Sequence, residues 1–284
     1  MESNPFASSP MLMLSWSRQD PEHRIGFKGG RFTSPNKMLG FLIGLVLTVF
    51  FYGMAFSSPV PAWFRDMFTL RGPCPYPTML LFFWALALLY LKWRKFGLQQ
   101  RAEKLPIMPQ QSDFELTPAT ARAVRERMSA IVDDPHHFIL LNRIDLALAN
   151  LHNIGHTADV AAILKIQAEN DEAQIASSYS MIQGFLWAIP VLGFIGTVQG
   201  LSQAIGAFAT TLAAGADMVA LRGSLQNVTG GLATAFETTL VALVCALILQ
   251  LLVSWLQSLE SEFLDRCNDI CHQNVAGKLR LNGQ

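Results

Sequence analysis

A chain of 284 residues that is 51% hydrophobic and only 15% charged falls well short of the roughly one-quarter charged residues of an average soluble domain. Its 21 basic and 21 acidic side chains cancel, so nothing argues for a nucleic-acid partner, and four cysteines without an even outside framework argue against a disulfide scaffold. No charge falls between Lys37 and Arg65 or between Glu172 and Asp217, and Glu237 alone interrupts the run from Arg222 to Glu260. A membrane-spanning helix needs about 20 mostly apolar residues, and these windows lack the charged stripe that a soluble core helix keeps.

Residues 1–37 are polar, with scattered Pro, Ser and Gly, and read as a loose cytoplasmic tail with a short surface segment at Met11–Trp16. The first span is expected from Met38 to Phe56. Small residues at Ala55, Ser57 and Ser58 raise a signal-peptide reading, but the preceding tail is too long and the apolar run exceeds a usual h-region. Ser57–Pro77 holds Pro59, Pro61, Pro73, Pro75 and Pro77 and reads as a loop, with Trp63 and Phe64 suited to an interface. A short second span is expected from Thr78 to Leu91, so residues 38–91 form an N-terminal transmembrane hairpin. Arg18, Arg24, Lys28, Arg31 and Lys37 precede it and Lys92, Arg94, Lys95, Arg101 and Lys104 follow it, whereas the loop has Arg65, Arg71 and Asp66. Basic flanks stay in the cytoplasm, which puts the N-terminus inside and the Pro-rich loop outside.

Residues 92–180 read as a cytoplasmic helical domain. Leu105–Asp113 is a linker with two prolines. Thr117-Pro118 starts a helix that runs to about Val132, with Arg122, Arg125 and Arg127 toward solvent. Asp133-Asp134-Pro135 breaks it. A second helix is expected from His137 to His152, with Leu140, Leu141, Ile144, Leu148 and Leu151 on one face and Gly155 as its cap. A third begins near Thr157 and continues directly into the third span. His136, His137, His152 and His156 lack ligand spacing, and Cys267, Cys271 and His272 on one turn read as an amphipathic face before a metal site, so no metal is expected.

The third span is expected at Met181–Phe208, a loop at Ala209–Ser224, the fourth span at Val228–Trp255 and a short helical cytoplasmic tail at 257–284. The fold class is therefore an all-α integral membrane protein with four transmembrane helices in two hairpins. A cytoplasmic helical domain lies between the second and third, and the third and fourth extend into the cytoplasm; four crossings place both termini inside.

Two features exceed a generic span. Gly193, Thr197, Gly200 and Ala204 recur at helical spacing, and small residues let membrane helices approach closely. In the fourth span Thr234, Glu237 and Thr238 share a face, with Thr239 one residue round. An ionised carboxylate near the bilayer centre costs on the order of a few kcal/mol, so Glu237 either serves a proton path or lies near the outer end and reaches the interface. The threonine hydroxyls can relay protons, replace water around a small cation, or hydrogen-bond between helices.

The segment Pro190-Val-Leu-Gly-Phe-Ile-Gly-Thr-Val-Gln-Gly200 resembles the glycine–threonine span of the MotA/TolQ/ExbB proton-channel family, and Gly230-Gly-Leu-Ala-Thr-Ala-Phe-Glu-Thr-Thr-Leu-Val-Ala-Leu243 is similar to its following span. The resemblance covers roughly residues 180–256 and defines residues 181–256 as a channel hairpin. It implies that Thr197 and Thr239 line a pore and face an aspartate on a partner helix. Glu237, Thr234 and Thr238 would join the ion pathway, and Gly193, Gly196 and Gly200 would pack the helices. Many TolQ and ExbB members carry a glutamate at the place of Thr234, and Glu237 follows three residues later on nearly the same face. The span count is MotA-like, the glycine–threonine motif closer to TolQ and ExbB.

The implied function is a proton-conducting, stator-like subunit of an inner-membrane motor, with sodium as the other candidate ion. No cofactor is implied. The implied partners are four further copies, making a homopentamer, around a dimer of a single-span protein resembling TolR, ExbD or MotB. The other readings are a non-conducting scaffold or assembly protein and a secondary transporter, though no inverted repeat relates the two hairpins. No phosphate loop, nucleophile elbow or zinc-binding helix argues for an enzyme.

Overall fold

The computed structural model describes residues 14–27, 29–57, 60–107, 116–149, 157–214 and 218–279. Among them the chain is helical, with isolated bridges from Leu14 to Val132 and from Leu116 to Leu279. The helices are α1 (Trp16–Gln19), α2 (Lys37–Ser57), α3 (Ala62–Thr69), α4 (Pro75–Glu103), α5 (Pro118–Ile131), α6 (Ile139–Ala149), α7 (Thr157–Ser178), α8 (Ser180–Ala213) and α9 (Met218–Cys271). Among the described residues four stretches are long and apolar enough to cross a membrane: Lys37–Ser57, Pro75–Glu103, Asp159–Ala213 and Met218–Ala276. The chain divides into two compact units, one made of Lys37–Leu89 and Ser180–Ser254, the other of Met1–Asn36, Tyr90–Tyr179 and Trp255–Gln284.

In the first of these units α2 meets the first part of α4 through glycine. A Cβ on Gly44 would lie 2.6 Å from the Trp84 Cα and 2.8 Å from its nitrogen, so the two backbones touch. The Trp84 ring then lies between Phe41 and Phe185, at 4.9 and 4.8 Å between centroids. The stretch expected as a loop at Ser57–Pro77 contains α3, which buries Phe68 against Phe51 and Phe64 and leaves Trp63 exposed. The loop reading failed there because three of its prolines sit at element edges. Pro61 precedes α3, and Pro75 and Pro77 open α4, where a missing N–H costs nothing. The expected loop at Ala209–Ser224 is shorter than its composition implied, since α8 runs to Ala213 and α9 starts at Met218. Residues 215–217 lie outside the described set.

The other unit holds the ionic core. Here α4 continues past Leu91, because Lys92 and Lys95, two of the basic residues that seemed to end it, are buried. The Lys92 ammonium lies 3.0 Å from Glu260 Oε1, donates to Thr33 Oγ1 and Ser178 Oγ at 2.9 and 2.7 Å, and sits over the Tyr179 ring. Tyr179 donates to the other Glu260 oxygen at 2.7 Å. Lys95 pairs with Glu22 at 2.5 Å and donates to the Ser34 carbonyl at 2.8 Å. Arg143 and Asp171 form a third buried pair at 2.6 Å. Glu260 belongs to α9 itself, so the expected separate helix after Gln257 is instead a continuation of the fourth long helix to Cys271.

Thr117 caps α5 through a reciprocal bond pair with Thr120, with Pro118 following it. Asp133-Asp134-Pro135 makes a 3-10 turn, and α6 then begins at Ile139, whose N–H is taken by Gln99 Oε1 at 2.9 Å. Leu140, Leu141, Ile144 and Leu148 are buried as expected. The Leu105–Asp113 linker (from residue 108 on), Leu151, His152, Gly155 and His156 lie outside the described residues. The α7 helix gives way to α8 with a single interruption at Tyr179.

The described part of the N-terminal segment is not loose. Asp133 accepts from Ser15 Oγ at 2.8 Å, Trp16 N–H at 2.8 Å, Ser17 N–H at 3.1 Å and Ser17 Oγ at 3.0 Å. Trp16 is buried against His137 and Phe138. Polarity misled here because Asp20 and Glu22, which look solvent-bound in the sequence, are wholly buried.

Two measurements test this core. Lys92→Met strands Glu260 in a dry site and should cost about 3–5 kcal/mol in thermal unfolding, while Lys92→Met with Glu260→Leu should recover most of it. For Asp133, burial pushes the carboxyl up, but the bonds from Trp16, Ser15 and Ser17 outweigh it and hold the group below its usual range. A depressed folded value gives stability that is present above the ordinary carboxylate range and lost as pH falls through the lowered value. Hydrogen exchange at Trp16 and Ser17, corrected for intrinsic rate, should therefore quicken on acidification. In Asp133→Asn it should be fast already at neutral pH.

Candidate functional site

The α8 and α9 helices run antiparallel and touch along a seam of small residues. A Cβ on Gly193 would lie 2.6 Å from Ala242 Cβ and 3.2 Å from Thr239 Cα. One on Gly196 would lie 2.6 Å from Thr238 Oγ1, and one on Gly200 2.8 Å from the Gly231 carbonyl oxygen. Gly231 returns the contact, 2.8 Å from the Gly200 oxygen. Gly184 and Gly206 of α8 face open space, so the seam is confined to the middle of the helix. Lipid tails are as apolar as the helices, so contact this close is what holds two spans together.

The seam brings two hydroxyls face to face. Thr197 Oγ1 of α8 meets Thr239 Oγ1 of α9 directly. Thr197 also lies 3.2 Å from the Gly193 oxygen and 3.3 Å from the Ala235 oxygen, and Thr239 lies 3.1 Å from each of the same carbonyls. Two hydroxyl protons are thus shared among four oxygens from two helices. Each hydroxyl both donates and accepts and can rotate, so the group can pass a proton between neighbours or offer oxygens to a small cation.

The other expected members go elsewhere. Thr238 is buried against Gly196, and its hydroxyl bonds back to the Thr234 and Ala235 carbonyls at 3.0 and 3.1 Å. Thr234 bonds back to the Gly230 carbonyl at 3.1 Å. Both are local bonds of the kind threonine makes inside helices. Glu237 turns sideways to Arg71, whose Nε donates to Oε2 at 2.6 Å and Nη2 to Oε1 at 3.0 Å, with about 30% of each side chain exposed. Arg71 precedes Gly72, whose φ of 82° allows the turn into α4. The structure therefore joins Thr197 with Thr239 directly and brings Thr238 onto the Ala235 carbonyl that they share, whereas the Thr234 hydroxyl and the Glu237 carboxylate bond elsewhere.

Residues 133–268 match the model of the MotA/TolQ/ExbB proton channel family. That match spans 136 of the chain's 284 residues. No curated protein and no solved structure gives a significant match. Likeness to that family over this segment suggests a proton-channel-type membrane subunit. The matched segment covers α6, α7, α8 and most of α9, and so holds the whole glycine–threonine seam. Arg71 lies outside it.

Arg71 and Gly231 are the site residues that sequence reasoning missed. Arg71 stood out only as one of two basic residues in an outside loop, and nothing linked it to a carboxylate 166 positions away. Gly231 had a usable signal, since it stands one turn before Ala235 on the face of Thr238 and Ala242. Among the described residues no three His, Cys, Asp or Glu side chains converge as a metal set. The four cysteines are free and buried.

Gly200→Ala or Gly231→Ala puts a methyl group onto a facing backbone oxygen. Thermal unfolding in detergent should show a loss of about 1–3 kcal/mol for either. Gly206→Ala in the same helix should be neutral or gain about 0.4–1 kcal/mol.

Proposed function

We propose that this protein is the ion-conducting, stator-type subunit of an inner-membrane motor that converts ion-motive force into mechanical work. The observation that carries this reading is the meeting of Thr197 and Thr239 on a glycine seam inside the family-matched segment. The chain's own span carboxylate, Glu237, is engaged through both oxygens by Arg71. A titrating acid for the hydroxyl pair therefore comes from a second protein, a single-span chain carrying an aspartate. Proton arrival neutralises that acid beside the hydroxyls, removes the cost of its charge in the membrane, and lets it move to the next subunit. One charge crossing about 100 mV releases about 2.3 kcal/mol, enough to bias such a step. Sodium is the alternative ion, because four clustered oxygens can also replace part of a hydration shell.

Five copies around a dimer of the partner is the assembly this reading adopts. The outward faces of the seam helices present Trp187 and Phe194 on α8 and Phe236 and Leu240 on α9, all exposed. Apolar surface on this scale fits lipid or neighbouring subunits. Both termini lie in the cytoplasm by the charge asymmetry of the first two spans.

One observation favours a second reading. The two hydroxyls already have carbonyl acceptors on Gly193 and Ala235, so they can also be the glue of a non-conducting scaffold. Proton flux into vesicles, with the protein reconstituted beside its single-span partner, separates the two. Thr197→Val and Thr239→Val should each lower flux by about tenfold or more while the complex stays intact on gel filtration, and Thr→Ser at either site should keep flux. Unchanged flux in both valine variants would remove the pair from the path.

A further inference from the structure

We propose that the segment Arg18–Arg24 and the α4 stretch Trp93–Arg101 form a binding site for the phosphate headgroup of an anionic phospholipid. The site is a cleft of about 420 Å³ within the unit that holds the ionic core. Four guanidinium groups line it, from Arg18, Arg24, Arg94 and Arg101, with Gln19 and Gln100 as amide donors. Among the described residues no carboxylate lines it. Trp93, Phe96 and Leu259 supply an apolar wall.

The clustering is built rather than inherited from neighbours in sequence, because three separate segments meet there. The N-terminal segment sorts its charges by sign. Asp20 and Glu22 are wholly buried, with Glu22 on Lys95, while Arg18 before them and Arg24 after them are exposed. Glu260, next to Leu259, is likewise buried on Lys92. Glu22 and Glu260 are thus taken by internal lysines, and the Asp20 carboxylate is buried with no hydrogen-bond partner among the described residues. None of the four arginine side chains has an ion pair among the described residues. Like charges gathered in a concave site repel unless an anion joins them, and phosphate oxygens match the guanidinium fork.

Position selects a lipid over a free anion. Arg94 follows directly on the apolar part of a helix long enough to cross a membrane, with Tyr90 and Trp93 half exposed beside it. Aromatic residues of this kind sit at headgroup level, and basic pockets at the cytoplasmic ends of spans take anionic headgroups. The apolar wall would lie against the first carbons below the phosphate. Four positive charges exceed one phosphodiester, so a headgroup with two phosphates is the natural probe. The proposal rests on membrane insertion alone and is independent of whether the protein conducts ions.

The full-length protein, stripped of lipid in detergent, would be titrated with cardiolipin, phosphatidylcholine or inorganic phosphate, with bound species counted by native mass spectrometry. Cardiolipin should bind and phosphatidylcholine should not, and inorganic phosphate should neither bind nor displace cardiolipin. The double variants Arg18→Gln with Arg24→Gln, and Arg94→Gln with Arg101→Gln, should each weaken cardiolipin by about tenfold or more. Arg122→Gln with Arg222→Gln removes equal charge elsewhere and should leave binding unchanged. Because the first pair lies on exposed side chains, its loss of binding should come with an unaltered unfolding temperature in lipid-free detergent. Equal binding of phosphatidylcholine, equal effects of the control pair, or displacement by inorganic phosphate would each overturn the proposal.

Discussion

The contact on which the functional part of the fold depends is backbone against backbone, where Gly200 and Gly231 each hold a space that a Cβ would have to share with the other's carbonyl oxygen. Side chains cannot hold two spans this near, because lipid competes equally for any apolar surface. Only the removal of side chains brings the helices close enough for Thr197 and Thr239 to meet. The glycines and the threonines are therefore one device. The glycines set the spacing, and the hydroxyls lock the register by sharing the carbonyls of Gly193 and Ala235.

The second unit is organised by the opposite chemistry. Lys92, Lys95, Arg143, Asp171, Glu22 and Glu260 are all buried, and each has a partner of opposite sign. Such pairs add little net stability against apolar replacements but penalise every arrangement that leaves one partner alone. They fix how the N-terminal segment, α4, α7 and the end of α9 fit together, since Lys92 alone touches Thr33, Ser178, Tyr179 and Glu260. A reader of the sequence sees these same residues as the end of the membrane and the start of solvent.

That contrast explains what could be read in advance. The long apolar runs, the helix start at Thr117-Pro118 and the break at Asp133-Asp134-Pro135 depend on local composition and stand where the pattern puts them. The small-residue face of Gly193, Gly196 and Gly200 was also visible, because helical periodicity needs no partner to be recognised. What was hidden depends on distant pairs. The polar face drawn through Thr234, Glu237 and Thr238 looked like one cluster, yet its threonines bond to their own helix and its glutamate leaves for Arg71. The docked segment around Trp16 was hidden for the same reason, as its anchor is an aspartate more than a hundred residues away.

The union of Arg71 with Glu237 also shapes the field along the seam. A lone carboxylate would act as a monopole, a trap for any passing cation, and a lone guanidinium as a barrier. Joined through two bonds at 2.6 and 3.0 Å, they present a dipole, whose potential fades with distance far faster than that of either charge. On the proposed function, a cation near Thr197 and Thr239 would meet mainly hydroxyl and carbonyl dipoles, and its depth of binding would be left to the acid of the proposed partner. Breaking the union from either side would leave a fixed charge of one sign beside the seam.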